Sequence, residues 1–260
     1  MIRIAAAGDL HAGPDSVGRI RPGFDDLRDH ADALLLAGDL TRTGTRDEAA
    51  VLAGELAGIS IPVVAVLGNH DVHSDDRAGV TAELEGAGVT VLERSSHALR
   101  VGGTTVAVVG AKGFGGGFVG ASGSEFGEPE MKSFMRATRS AAEDVQRLLA
   151  TSTGDYRIAL FHYAPVRDTV QGEPPEIFPF LGSYLLGEAA DVGGADLVVH
   201  GHAHRGAEWG TTAGGVRVRN VAQAVLRRPY VVFNVGGDHP ADEPPLQRPY
   251  DRPVSPRPAR

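Results

Sequence analysis

Apolar positions along this chain fall into two kinds of pattern. Ile2 to Ala7, Ala33 to Ala37 and Pro62 to Leu67 are short apolar runs without alternation, each followed by Gly. A run without polar alternation suits a strand buried on both faces. Between these runs the spacing turns helical. Thr45 and Glu48 stand in capping-box spacing ahead of Val51, Leu52 and Leu56, and Gly58 ends the segment. A second helical pattern runs from about Ser74 to Ala87. This alternation of strand and helix predicts a parallel sheet built from right-handed crossovers, with the loops after the strands gathered on one edge.

Further along, Leu99 to Val109 reads as two strands joined at Gly102-Gly103, a hairpin signal that predicts a second, more antiparallel sheet. Residues 132 to 150 carry Phe134, Met135, Ala142, Val145, Leu148 and Leu149 at helical spacing, a core stripe. Tyr156 to His162 and Asp196 to His200 read as buried strands, with further strand signals at Val216 to Val221 and Tyr230 to Val235. The chain is thus expected to form one α/β domain over residues 1–236. Residues 237–260 hold seven of the 16 prolines and balanced charge, so a disordered tail is expected there.

Composition narrows the chemistry. A net charge of -8 repels a phosphate backbone over most of the surface, so nucleic acid is not an expected partner. With no Cys, disulfides, thiolate nucleophiles and Cys-based zinc or iron–sulfur sites are excluded, and a metal must be held by His, Asp, Glu or Asn. The N-terminal apolar run is too short for a signal peptide, and none approaches the ~18 residues of a membrane helix, so a cytoplasmic protein without membrane association is expected.

The polar residues that interrupt these runs sit at strand ends: Gly8-Asp9-Leu10-His11, Gly38-Asp39, Gly68-Asn69-His70-Asp71, His162, and Gly201-His202-Ala203-His204. Open α/β sheets bind ligands outside the carboxyl ends of their strands, so the five blocks are expected to converge. Even two carboxylates, an amide oxygen and four imidazoles from these blocks exceed one tetrahedral ion and suit two ions that share a carboxylate.

In order and spacing these blocks, D-x-H, G-D, G-N-H-D, a lone His and G-H-x-H, resemble the calcineurin-like metallophosphoesterases across residues 5 to 205. The resemblance implies a four-layer αββα sandwich of two mixed sheets flanked by helices. It also implies two divalent transition ions, with Mn, Fe or Zn foremost. Asp9, His11, Asp39 and His204 would hold one ion, and Asp39, Asn69, His162 and His202 the other, with Asp39 as the bridge. His70 would face the substrate as proton donor, its ring oriented by Asp71. The implied activity is hydrolysis of a small phosphomonoester or phosphodiester by a metal-bridging hydroxide attacking phosphorus in line. Two other readings stay open: a cyclic-nucleotide phosphodiesterase, and a non-catalytic scaffold of the same fold. Thr41-Arg42 after Asp39 departs from the acidic residue of many relatives, so the cyclic-nucleotide reading is not assigned.

Two features lie outside the pattern. His200 alternates with buried neighbours and reads as a supporting residue rather than a ligand. The glycines of 113–120 lack a P-loop ending and are expected to form a flap over the site.

Overall fold

The computed structural model describes residues 2–235. It contains two large mixed sheets. The first holds β1 (Ile2–Ala7), β2 (Ala33–Ala37), β3 (Val63–Val66) and β4 (Val89–Leu92) in parallel, with β13 (Val231–Val235) antiparallel along β1. The second has β5 (Ser95–Val101), β6 (Thr104–Ala111), β9 (Tyr156–Phe161), β10 (Leu197–His200), β11 (Trp209–Thr211) and β12 (Arg217–Asn220). Its central four strands, β6, β9, β10 and β12, are parallel, and β5 and β11 edge it antiparallel. A small hairpin of β7 (Gly117–Phe118) and β8 (Ala121–Ser122) stands apart.

Alternation within each strand divides the core into three layers. Ile4, Leu35 and Val64 meet Val106, Val108, Ile158 and Val199 between the sheets. Leu34 and Leu36 face the other way, onto Leu52 of the helix Arg46–Leu56 and Val80 and Leu84 of Arg77–Gly86. On the far side, Phe161 and Val198 pack on Val145 and Leu149 of the helix Pro129–Thr151 and Leu186 of Tyr184–Gly193. This is the expected αββα sandwich. Strands covered on both faces need apolar side chains at nearly every position, which is why β2 and β3 read as unbroken apolar runs and β1 is interrupted by Arg3 alone.

The Thr45 cap is formed as expected, its hydroxyl accepting the Glu48 N–H at 3.3 Å. The hairpin turns at Gly102-Gly103, pairing Val101 with Thr104. The Gly-rich stretch differs from expectation. Rather than an open flap, Gly115 to Phe118 are buried, and the N–H groups of Gly116 and Gly117 donate to the carbonyls of Pro179 at 2.7 Å and Gly182 at 2.9 Å. A Cβ on Gly115 would meet the Pro179 carbonyl and one on Gly117 the Ala121 carbonyl, so close backbone packing accounts for glycine at both. The expected tail at 237–260 lies outside the described residues. Among the described residues no helix is long and apolar enough to cross a membrane.

Candidate metal centre

The C-terminal ends of β1, β2, β3, β9 and β10 meet on one edge of the sandwich and carry every residue expected to bind metal. The chain bends sharply there. Asp9, His11, Asp39 and His202 have φ of 57°, 46°, 49° and 72°, a left-handed region that side-chain-bearing residues rarely occupy. Neighbouring strand ends hold them in it: the Asp9 N–H donates to the Gly38 carbonyl at 2.9 Å and the His11 N–H to that of Asp39 at 3.0 Å. Gly68 and Gly201 are required by proximity, because a Cβ on either would collide with the carboxylate of Asp39 or Asp9.

Two groups of ligand atoms result. Asp9, His11, Asp39 and His204 each offer one atom, all within 4.8 Å of one another, and Asp39, His162 and His202 do the same. Asp39 belongs to both. The first group opens outward, with His204 Nε2 2.8 Å from Asp9 Oδ1, 3.4 Å from His11 Nε2, and its side chain 42% exposed. The second closes inward around the fully buried His162, whose Nε2 lies 3.3 Å from Asp39 Oδ1 and 2.9 Å from Asn69 Oδ1. Its Nδ1 lies 2.9 Å from the Ala37 carbonyl, which fixes the tautomer so that Nε2 faces the centre. Hard oxygens and borderline imidazole nitrogens at this spacing fit divalent transition ions.

The electrostatics of the two groups differ as their burial does. Burial disfavours the charged form of His162, but the Asp39 carboxylate beside it prevails and pushes the imidazole up to about 9. Burial likewise opposes ionisation of Asp39, yet His162 and the His70 N–H, at 2.9 Å, hold it well below the ordinary carboxylate range. Burial and the His162 charge drive His202 down to about 3. In the outer group the hydrogen bond to Asp9 raises His204, while burial lowers His11.

His70 sits over this arrangement without entering either group. Its Nε2 lies 3.8 Å from Asp39 Oδ2, and its ring stands edge-on to His11 at 4.7 Å. The expectation that Asp71 orients this ring is corrected by the structure. The buried Asp71 carboxylate instead accepts N–H bonds from Leu40, Thr41 and Gly68 at 3.1, 2.7 and 2.7 Å and the Thr41 hydroxyl at 2.6 Å. Those four donors fill its acceptor sites, and the His70 Nδ1 meets the Arg42 carbonyl at 2.7 Å. Asp71 therefore braces the loops that carry Asp39 and Asn69. His200 is buried, as expected of a support, with Nδ1 2.7 Å from the Gly201 carbonyl and Nε2 2.8 Å from Thr169 Oγ1.

Sequence reasoning passed over Tyr163, whose ring lies 4.4 Å from that of His202. Its place directly after His162, at a strand end, was the available signal. The carbonyl of Arg42 carries no side-chain signature and could not be read.

Residues 2–206 match the calcineurin-like phosphoesterase family. No curated protein matches the chain. Among solved structures, the phosphopantetheinyl hydrolase of Mycobacterium tuberculosis is similar at a TM-score of 0.62 and 16% identity, over 88% of this chain and 95% of that one. A hypothetical protein from Thermus thermophilus gives 0.51 and 20%, over 84% and 75%. A further protein of that organism gives 0.55 and 16%, over 90% and 98%. At these identities the likeness is one of fold.

Proposed function

The chain belongs to the calcineurin-like phosphoesterase family, and from that premise we propose that it hydrolyses a small phosphorylated molecule at a centre of two divalent transition ions, Mn, Fe or Zn. The observation that carries the reading is the sharing of Asp39 between two clusters of ligand atoms. Asp9, His11 and His204 would complete one coordination sphere, and Asn69, His162 and His202 the other. When bound, the pair would supply Lewis-acid charge to the phosphoryl group and bring a water pKa from 15.7 to roughly 7. Such a local positive field also reconciles the net charge of -8 with an anionic substrate.

His70 is the proton donor in this reading, and its surroundings define how it acts. A carbonyl only accepts, so the contact with Arg42 places hydrogen on Nδ1. The imidazolium then presents its second proton from Nε2, toward the centre. After handing that proton to a departing oxygen, the ring is left as the Nδ1–H tautomer and keeps its bond to Arg42. The ring neither rotates nor changes partner. Asp71 contributes at one remove, by holding Leu40, Thr41 and Gly68 in place. The completeness of both ligand groups disfavours a non-catalytic scaffold.

The test is turnover of a panel of phosphomonoesters, phosphodiesters and cyclic nucleotides with defined added metals, alongside elemental analysis of the protein. Absence of turnover across the panel, with ions bound, would sink the proposal.

A further inference from the structure

Lys112 leaves the end of β6 beside the metal centre. Its carbonyl accepts N–H bonds from His162 and Tyr163, both at 3.1 Å, so its backbone is fixed against a residue of the inner group. Its ammonium stands 4.9 Å from the ring centroids of both Phe114 and Tyr163. Tyr163 lies in turn against His202. The charge is therefore held one ring's breadth from the centre, on two faces that attract a cation.

Little in the protein satisfies that ammonium. It makes one bond of 3.3 Å, to the Gly113 carbonyl, although it carries three donors. Among the described residues no carboxylate pairs with it. Glu93, on the same flank, accepts the Lys112 backbone N–H at 3.1 Å, but its side chain is shared between Arg77 at 3.8 Å and Arg94 at 3.6 Å. Burial lowers the Lys112 pKa, with Glu93 acting the other way. A lysine that merely shields apolar surface with its stem would extend its head into water. Here the head is retained over two rings at the edge where the ligand residues gather. The chain otherwise uses Arg for its basic positions, with Lys132 the one other lysine.

We propose that Lys112 determines specificity by receiving a second anionic group of the substrate, a phosphate or carboxylate apart from the ester that is cleaved. The inference rests on the phosphoesterase reading and sharpens its substrate class to phosphoesters that carry a further acid. Phe114 and Phe134, with centroids 5.1 Å apart, and Phe180, 6.3 Å from Phe134 and 61% exposed, continue from Tyr163 as an apolar wall for the organic part of such a molecule.

The test is calorimetric binding of phenylphosphonate, which is not hydrolysed, and of its 3- and 4-carboxy analogues to the metal-loaded protein, to Lys112→Met and to Lys112→Arg. Metal content and melting temperature are checked for each. In the unaltered protein at least one carboxylate should tighten binding by about tenfold, the order expected of a charge-assisted contact. Lys112→Met should erase that gain and Lys112→Arg retain most of it. Carboxy analogues that bind no better than the parent, or a gain that survives in Lys112→Met, would overturn the assignment. Failure of phenylphosphonate itself to bind the unaltered protein would instead bring down the phosphoesterase reading.

Discussion

The outer half of the candidate metal centre, with His11 and His204, reaches solvent, whereas the inner half closes around His162, whose side chain has no exposure at all. The same two residue types thus work under different physics. In the outer half water can replace a missing ion at little cost. In the inner half the Asp39 carboxylate beside His162 pushes the imidazole up to about 9, so the pair favours a proton on that ring. A buried Asp–His pair of this kind competes with metal, because a ligand must be deprotonated before it coordinates. The halves should therefore load and release ions differently, with Asp39 the one residue answering to both.

The largest effect is expected at that residue. Asp39→Ala should abolish stable occupancy of both ions, where loss of His204 should affect the outer one alone. Elemental analysis decides it, and retention of about two equivalents per chain by Asp39→Ala would break the shared-ligand assignment.

Next comes the separation of chemistry from coordination. His70→Asn should keep its metal and its fold but lose turnover by ~10²- to 10⁴-fold, the range of a general acid or base. Alkoxide leaving groups should suffer more than nitrophenolate, which departs without protonation. Equal losses for both would mean that His70 stabilises charge on the phosphoryl oxygens instead.

A smaller, graded effect should follow pH. His162 is raised in the folded protein to about 9, so below that pH the inner ion must displace a proton. Its affinity should rise with pH, by up to about tenfold per unit, and level off above 9. The outer ion should show a weaker dependence over the same window. Titration of apo protein at several pH values measures both, and parallel profiles would erase the distinction between the halves.

The smallest expected change is at Asp71, which supports the two halves alike. Asp71→Asn should lower stability by about 1.5–3 kcal/mol, the scale of hydrogen bonds to a charged group, and weaken both ions together. Denaturant unfolding tests this. An unaltered stability with a displaced pH profile of turnover would show that Asp71 serves the His70 ring after all.

Much of this architecture was legible because its physics is local. Apolar runs without alternation announced β1 to β3, and Thr45 with Glu48 announced the helix that follows β2. The gathering of the candidate ligand residues was legible for a related reason: polar side chains placed directly after a buried strand have only the sheet edge to occupy. The short β4, Val89–Leu92, went unread, since four residues carry too little periodicity. The helix Tyr184–Gly193 went unread because Gly187 and Gly193 argue against a helix until Leu186 and Ala190 are seen to pack on the second sheet. The roles of Asp71 and Lys112 depend on contacts between segments distant in the chain. Thr41 precedes Asp71 by 30 positions, and no pattern along the sequence marks the meeting.

The left-handed backbone at Asp9, His11, Asp39 and His202 has a consequence for stability. Each such residue costs about 1–2 kcal/mol relative to an ordinary conformation, somewhat less for Asp, whose short side chain bonds locally. Glycine would relieve that cost at all four positions while deleting the ligand. Backbone stability alone therefore favours glycine here, and the proposed metal binding is what Asp and His at these positions would supply in exchange for that strain.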